Sequence, residues 1–468
     1  MDRRPARGYA YQAVYRYLLS LIDAVEPGAT LKLPSLRALA RDLEVSIITV
    51  QSAYGLLENE GRVFCVAKSG YFTRAQSSQP CSSEKGDLYQ RVAFNAIRAD
   101  LRMLGRGQPF ATLSQALLRQ ELQLWRQYPR VPEAPAQPCG ELELRRLLAA
   151  RYTRSTEQCW SAEQVYIAVD RRALLELLIE ATGLGGGSVL VTSPACPQAL
   201  QVLQHAGLRL VELPLCAVGR VDQDRLAQIL AQGEVRMMMV DSAFNVPQGT
   251  LMPDLDKHCI VSLLDSHGVW LLENDSHGEL CFQACTRFRD LANPDRLLVL
   301  SSFEHTLGGD APFAYLLSRH FGADLRAAFV RRGFQVPLLR QRAIARLYAA
   351  GVVDEHLMRL RASLSLRLEQ LSARVKRLLG EQVWVDRPAG GAALWLRARQ
   401  PTDMGRVFER LLAQRIVIEP GEMFSVGGLH RHCLQLRCGG QDDPPPDAVL
   451  LALGKALSQA ARPLKAEP

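Results

Sequence analysis

No stretch of this chain reaches the ~18 to 20 uninterrupted apolar residues that a bilayer span requires, which excludes a membrane-spanning helix on composition alone. The first residues, MDRRPARGYAYQ, carry charge but neither the apolar segment nor the small-residue cleavage site of a secretory signal. The eleven cysteines include no CxxC pair and no Cys/His spacing suited to zinc, so no metal site is expected. Scattered and odd in number, they fit reduced thiols in a cytoplasm, most of them buried as small hydrophobes. Lysine is nearly missing between residues 88 and 462, where only Lys257, Lys376 and Lys455 occur, all in helical patterns. Chemistry that needs a lysine amine in a loop at a strand end therefore has no candidate there.

What is present is an ordinary globular composition, 48% apolar and 22% charged, in a chain of 468 residues that is too long for one hydrophobic core. A small module and a large body fit that length. A net charge of +8 is compatible with a polyanionic partner without demonstrating one. Residues 1–74 hold ten Lys/Arg against seven Asp/Glu, a bias too mild to decide the matter, so pattern must decide it.

Apolar residues recur at helical spacing from Tyr11 to Ile22, and Pro27 and Gly28 stop that helix. In LPSLRALARDLEVS, Ser35 caps a second helix with Leu36, Leu39, Ala40 and Leu43 on one face. After a turn through Glu44 and Val45, Ser46 caps a third helix whose inward stripe is Val50, Ala53, Tyr54 and Leu57, with Gly61 ending it. The alternation in RVFCVAKSGYFTR predicts a β-hairpin with Lys68, Ser69 and Gly70 at its tip.

LPSLRALA, VSIITVQSAYGLLENEG and SGYFT, in that order and spacing, resemble the GntR family of winged helix-turn-helix regulators. The resemblance implies that the Ser46 helix enters the major groove of duplex DNA and that Arg37 meets a phosphate. It places Ile47, Ile48 and Gln51 at the base edges with Thr49 nearby, and the Lys68, Ser69 and Gly70 tip at the backbone or minor groove. Where the family usually has Arg, this chain has Ile47, which can read little beyond a thymine methyl. The Ser/Gln/Pro-rich stretch around AQSSQPCSS reads as a linker, giving a module over 1–74 and a linker over 75–87.

Behind the linker, apolar runs (VYIAV, SVLVT, LRLVEL, VRMMMV, VWLLEN, RLLVLSSF, FAYLL) alternate with helical patterns, an α/β arrangement over 88–335. Long helices around Leu338 to Leu379 lead into a smaller α+β part, 336–468, with strands VWVD, ALWLR and CLQLR.

The order of landmarks, Gly140 with Leu144 and Arg145, then SPACPQA, NVPQG, ENDSHGEL, SSFEHTLGGDAPFAYL and PGEMFSVGGLHRHCLQLR, resembles the fold-type I aminotransferases. Placed behind a GntR-like module, it is similar to the MocR subfamily of regulators. The fold class implied is an α+β winged helix-turn-helix followed by an α/β aminotransferase-like large domain and a small α+β subdomain. The family cofactor is pyridoxal phosphate, which needs an amine, a carboxylate for the pyridine nitrogen and a phosphate cup. Matched residue by residue, the lysine position falls on His305 and the phosphate arginine on Pro312. The Gly-Ser start of the cup helix falls on Val169 and Asp170, and the stacking aromatic on Cys196. Asn245 lies in the loop that resembles NPTG. The pyridine carboxylate falls on Asn274, with Asp275 one place along, and the tyrosine on Ser276 or His277. Arg437 matches the arginine that binds a substrate carboxylate, with an interdomain ion pair as its plainer role.

These readings converge on a cytoplasmic, sequence-specific DNA-binding transcription regulator, not an enzyme. Its degenerate body would serve homodimerisation and the sensing of a small-molecule effector through Arg437, with no bound cofactor. Two alternatives stay open at this stage: a regulator that holds pyridoxal phosphate noncovalently, and an active aminotransferase fused to a DNA-binding module.

Overall fold

A computed structural model describes residues 10–23, 31–59, 63–66, 70–73, 87–98, 100–104, 112–127, 137–438 and 445–461. The chain divides into two compact units, 1–86 and 87–468.

In the first unit, helices α1 (Ala10–Asp23), α2 (Leu36–Asp42) and α3 (Ile47–Asn59) precede an antiparallel hairpin of β1 (Val63–Val66) and β2 (Gly70–Thr73). One core holds them together: Val14 and Leu18 of α1, Leu39 of α2, and Val50, Ala53, Tyr54 and Leu57 of α3 are all nearly or fully buried. Tyr54 anchors it, stacking on Tyr71 at 4.4 Å and donating its hydroxyl to the Pro34 carbonyl at 2.7 Å. Residues 31–33 add a third extended segment to the hairpin, through Leu33 N–H to Tyr71 O and Thr73 N–H to Leu31 O, each 2.9 Å. Three residues ending at Pro34 are too short to show an alternation, which is why the sequence predicted only two strands. Lys68, Ser69 and the expected linker around Ala75 to Ser83 lie outside the described residues, whereas Gly70 opens β2 instead of forming a tip.

The second unit opens with α4 (Leu88–Ala96), β3 (Arg102–Met103), α5 (Ser114–Gln127) and α6 (Leu142–Tyr152). Strands and helices then alternate: β4 (Val165–Ala168), α7 (Arg171–Thr182), β5 (Ser188–Ser193), α8 (Pro197–His205), β6 (Arg209–Pro214), α9 (Gln223–Ala231), β7 (Val235–Asp241), α10 (Asp254–His267) and β8 (Trp270–Asn274). After β9 (Leu297–Ser302) come the one-turn α11 (Glu304–Leu307), β10 (Ala314–Ser318) and α12 (Gly322–Arg332). The seven strands form one sheet in the order β4-β10-β9-β8-β7-β5-β6, parallel except for β10. All seven apolar runs picked out in the sequence are its strands. Their largely apolar character follows from burial of the central strands on both faces: Leu190, Met238 and Val299 enter one core, and Val189, Met239 and Leu300 the other, while the edge strand β6 carries Arg209 and Glu212 and is only partly buried.

Helices α13 (Leu338–Ala349) and α14 (Val352–Leu379) follow, then β11 (Val383–Val385), β12 (Ala393–Ala398), α15 (Met404–Leu412), β13 (Ile416–Val417), β14 (Glu419–Pro420), β15 (Cys433–Arg437) and α16 (Asp447–Ala460). Strands β11, β12, β15 and β14 make an antiparallel sheet. At 28 residues, about 42 Å, α14 is the spine of the unit. Leu357 belongs to the large core, Leu360 and Leu364 to a small cluster between, and Leu368, Leu371 and Val375 to the core of the small part. The expected border at 335/336 needs correction at its other end, because Val92 and Leu104 pack in that same small core and β3 pairs with β13. The small part therefore recruits residues 88–104, a discontinuity that a linear reading of periodicity does not reveal.

Candidate functional site

On the first unit, two serine caps fix where the helices begin. Ser35 Oγ accepts the Ala38 N–H at 3.2 Å, and Ser46 Oγ accepts the Thr49 N–H at 3.1 Å while bonding Thr49 Oγ1 at 2.8 Å. Ser46 thus acts first as a cap, satisfying the Thr49 N–H at the α3 terminus, and the Thr49 hydroxyl bonds back to it. Between the helices, Glu44 adopts φ 54°, a left-handed turn that the Val45 N–H to Ala40 O bond of 3.0 Å closes. With its inner stripe fully buried, α3 presents Ile47, Ile48 and Gln51 outward, Ile48 being 75% exposed and Ile47 47%. Arg37, second residue of α2, is exposed as well. An apolar side chain this open is costly to leave in water and is suited to apolar contact with a partner.

The second unit holds a cavity of about 760 Å³ between the strand-end loops of the large sheet, α14 and β15. It brings together Asp170, Cys196, Asn245, His277, His305, Pro312 and Arg437 from the sequence reading, and leaves out Val169 and Asn274. Asn274 ends β8 below the cavity, donating to Asp241 Oδ1 at 2.8 Å and accepting from the Ser276 hydroxyl at 2.8 Å. Asp275 turns away into a buried network: it accepts the Tyr152 hydroxyl at 2.6 Å and pairs with Arg289 at 3.0 Å and Arg287 at 3.4 Å. These arginines hold its carboxyl below the usual range against the opposing effect of burial.

Asp170 is the N-cap of α7, its carboxylate accepting the Ala173 N–H at 2.9 Å. A helix N-terminus is an anion site, and here a side chain already provides the anion. His305 lies in α11, directly after β9, and stacks on His277 with ring centroids 4.1 Å apart. Burial, reinforced by Arg171 and Arg437 nearby, pulls His305 down to about 3; burial, His305 and the same arginines push His277 well below the ordinary imidazole range. Both rings are therefore neutral at physiological pH. Burial raises Asp241 to about 6, with the Val246 N–H, the Asn274 amide and Arg171 pulling back.

Arg171 is the residue that sequence reasoning missed. Its guanidinium reaches the cavity, bonds Cys196 Sγ at 3.5 Å and leaves Nη1 buried without a partner. Burial disfavours its charge, but Cys196, Glu304 and Asp241 outweigh that and stabilise it. The signal was an arginine directly after a helix cap, a position where a solvated charge is the ordinary outcome. Arg437, by contrast, pairs with Glu419 at 3.2 Å and bonds Gln435 Oε1 at 3.1 Å, so its ion pair lies within the antiparallel sheet and is not interdomain.

Among the described residues, no lysine lines the cavity. Lys257 is buried in α10, donating to the Thr286 carbonyl at 2.6 Å, while Lys376 and Lys455 lie in α14 and α16. Among the described residues, no group of three His, Cys, Asp or Glu is placed to hold a metal ion, and no helix is long and apolar enough to cross a membrane. The expectation that most cysteines are buried needs correction: among those described, Cys139, Cys281, Cys433 and Cys438 are buried, but Cys159 and Cys216 are exposed and three others intermediate. Those in loops and on helix surfaces had no core position to occupy.

Comparison with known proteins gives two family matches: bacterial regulatory proteins of the gntR family over residues 10–72, and aminotransferase class I and II over 133–443. The chain is 25% identical to the HTH-type transcriptional regulator YjiR of Escherichia coli, over 95% of this chain and 99% of that one. It is 23% identical to the probable rhizopine catabolism regulatory protein MocR of Rhizobium meliloti, over 83% and 81% respectively. Among solved structures, LysN, the α-aminoadipate aminotransferase of Thermus thermophilus, superposes with TM-score 0.69 at 20% identity, covering 80% of this chain and 95% of that one.

Proposed function

The chain belongs to the aminotransferase class I and II family and carries a gntR-family module ahead of that body, and from this premise we propose that it is a DNA-binding transcription regulator whose body binds a ligand instead of turning over a substrate. One observation carries the non-enzymatic reading: among the described residues no lysine lines the cavity, and a half-buried, neutral His305 stands at the position the resemblance gives to the lysine. The residues present do not fit pyridoxal phosphate. Asp170 caps the helix that would receive the phosphate, Cys196 offers no ring to stack, and Asn274 is engaged with Asp241. No catalytic step is assigned to the cofactor here.

On the reader side, the exposed Ile47, Ile48 and Gln51 on a capped helix support entry into the major groove, with Arg37 on the phosphate backbone. A second copy of the chain would supply the second half-site. Leu118, Leu122 and Trp125, at i, i+4 and i+7 of α5, form an exposed apolar stripe that supports this homodimer; Trp125 is 68% exposed. A cytoplasmic setting is in keeping with a DNA partner.

Selection of duplexes from a random pool by the full-length protein tests the reading, with light scattering on the same preparation. The expected result is enrichment of paired half-sites, affinity that falls steeply with salt, and a scattering mass near twice the 51.9 kDa chain. No enrichment over competitor DNA, together with transamination by the purified protein, would overturn it.

A further inference from the structure

Among the described residues, four polar atoms on the cavity lining are buried and make no hydrogen bond: Arg171 Nη1, Asn245 Oδ1, His277 Nδ1 and His305 Nε2. One such atom is an ordinary imperfection, but several on the lining of one cavity are the unmet half of a binding site, because a polar atom left unpaired away from water has lost its hydration for nothing in return. Their chemistry is specific. Arg171 offers a cationic donor that makes no ion pair among the described residues, its Nη2 held by the Cys196 sulfur. Asn245 has spent its amide N–H on the Pro194 carbonyl at 3.0 Å, which fixes the side-chain orientation and leaves Oδ1 as an acceptor. The neutral imidazoles add hydrogen-bonding capacity without charge. On the opposite wall, Phe244, Leu280, Leu360 and Leu364 belong to one apolar cluster.

Two carboxylates limit the charge that the cavity accepts. Asp170 and Glu304 both line it together with Arg171, Arg172 and Arg437, and Asp241 lies near enough to Arg171 to stabilise its charge. Asp170, the cap of α7, stands on the lining close to Arg171 in sequence and opposes a dianion such as a phosphate monoester more than it opposes a single carboxylate on the Arg171 guanidinium. Arg437 is a poorer anchor, since Glu419 already takes part of its charge.

We infer that the cavity binds a small apolar monocarboxylic acid that carries a hydroxyl or amino donor, with its carboxylate on Arg171, its donor on Asn245 Oδ1 and its apolar body against the Phe244 and Leu360 wall. This deepens the ligand-binding part of the proposed function and rests on it. Arg171, and not Arg437, is the anchoring residue.

Calorimetric titration of the full-length protein with 3-phenylpropionate, phenyllactate and phenylalanine provides the test, since these share a skeleton and differ in bearing no donor, a hydroxyl or an amino group. Saturable binding of one molecule per chain is expected, with phenyllactate or phenylalanine ~10-fold or more tighter than phenylpropionate, and the tighter of the two identifies the donor. R171Q should weaken it by ~10-fold to 100-fold, R171K by less, and R437Q by under about threefold. Circular dichroism confirms that each variant is folded, and R171K keeps the test decisive where R171Q is not. Unchanged affinity in both Arg171 variants, a loss confined to R437Q, preference for phenylpropionate, or no binding of any probe would each overturn the inference. Operator affinity measured with and without the bound probe separates the two claims: binding that leaves DNA affinity unchanged removes sensing and keeps the site, while DNA binding without any probe binding does the reverse.

Discussion

The two units have kept different things. In the first, the buried residues and the caps follow the pattern of a three-helix DNA reader, and the departure sits on the exposed face, where Ile47 replaces an arginine. In the second, the sheet is that of the aminotransferase fold, and the positions at which we propose that it departs from the family's cofactor site lie on the cavity, at Asp170, Cys196, His305 and Pro312, with Asn274 outside its lining. A surface substitution changes what is read without disturbing the fold. On the proposed reading, exchanges in the cavity would remove a chemistry while the cores on both sheet faces stay packed. Fold and function are separable in each unit, at opposite places.

The largest expected effect comes from attacking the core of the first unit. Tyr54→Ala removes a fully buried ring, its stack on Tyr71 and its bond to Pro34, a loss of about 3 to 5 kcal/mol. DNA binding should disappear while the main calorimetric unfolding transition of the body stays in place; a body transition shifted equally would show that the two units do not fold independently.

Next in size is the reading face. Gln51→Ala should change base preference at one or two positions by about 1 to 3 kcal/mol, measured by repeating the duplex selection with the variant. An unchanged recognition sequence would remove Gln51 from the base edges.

The cavity offers a pH test of similar scale. Because burial depresses the folded-state pKa of His305 to about 3, the unfolded chain binds the proton more tightly, and stability present above about pH 6.5 is lost as pH falls. At about pH 5.5 that loss is roughly 1.4 kcal/mol for this residue. His305→Phe should flatten the decline in urea midpoint between neutral and mildly acidic buffer. A variant that declines as steeply as wild type would refute a buried neutral His305.

Arg37→Ala should have the smallest effect, on the order of 1 kcal/mol, weakening all sequences alike and lowering the salt slope by about one. Sequence-dependent weakening would move Arg37 from the phosphates to the bases.

Much of this was legible in the sequence, for physical reasons. Ser35 and Ser46 announced their helices because a cap needs a small oxygen at one position, and the strands announced themselves because burial on both faces keeps most of their positions apolar, Arg236 and Glu273 being exceptions. Lysine could be counted without any alignment. What was hidden depends on side-chain direction. Arg171 looked like one of two solvated arginines, and both line the cavity, but Arg171 is the one drawn in, half-buried with its Nη1 unpaired, while Arg172 stays exposed. Asp275 lies one place along from Asn274, where the resemblance puts the pyridine carboxylate, but Arg287 and Arg289, more than ten residues onward, draw it into a separate network. The recruitment of 88–104 into the small core was equally invisible, since Ile416 and Val417 pair with residues some three hundred positions earlier.

The central claim is that the body keeps the aminotransferase fold without its covalent chemistry. Its most direct test is to titrate wild type and His305→Lys with pyridoxal phosphate, reduce with borohydride and map the peptides by mass. The expected result is no stoichiometric adduct on wild type. None is expected at residue 305 of the variant either, because an Asp170 carboxylate ~4 Å from a docked phosphate opposes it by on the order of 4 kcal/mol at an effective dielectric of 20. A specific one-to-one adduct on the wild-type chain would contradict the claim, and one at residue 305 of the variant would show that the phosphate site survives.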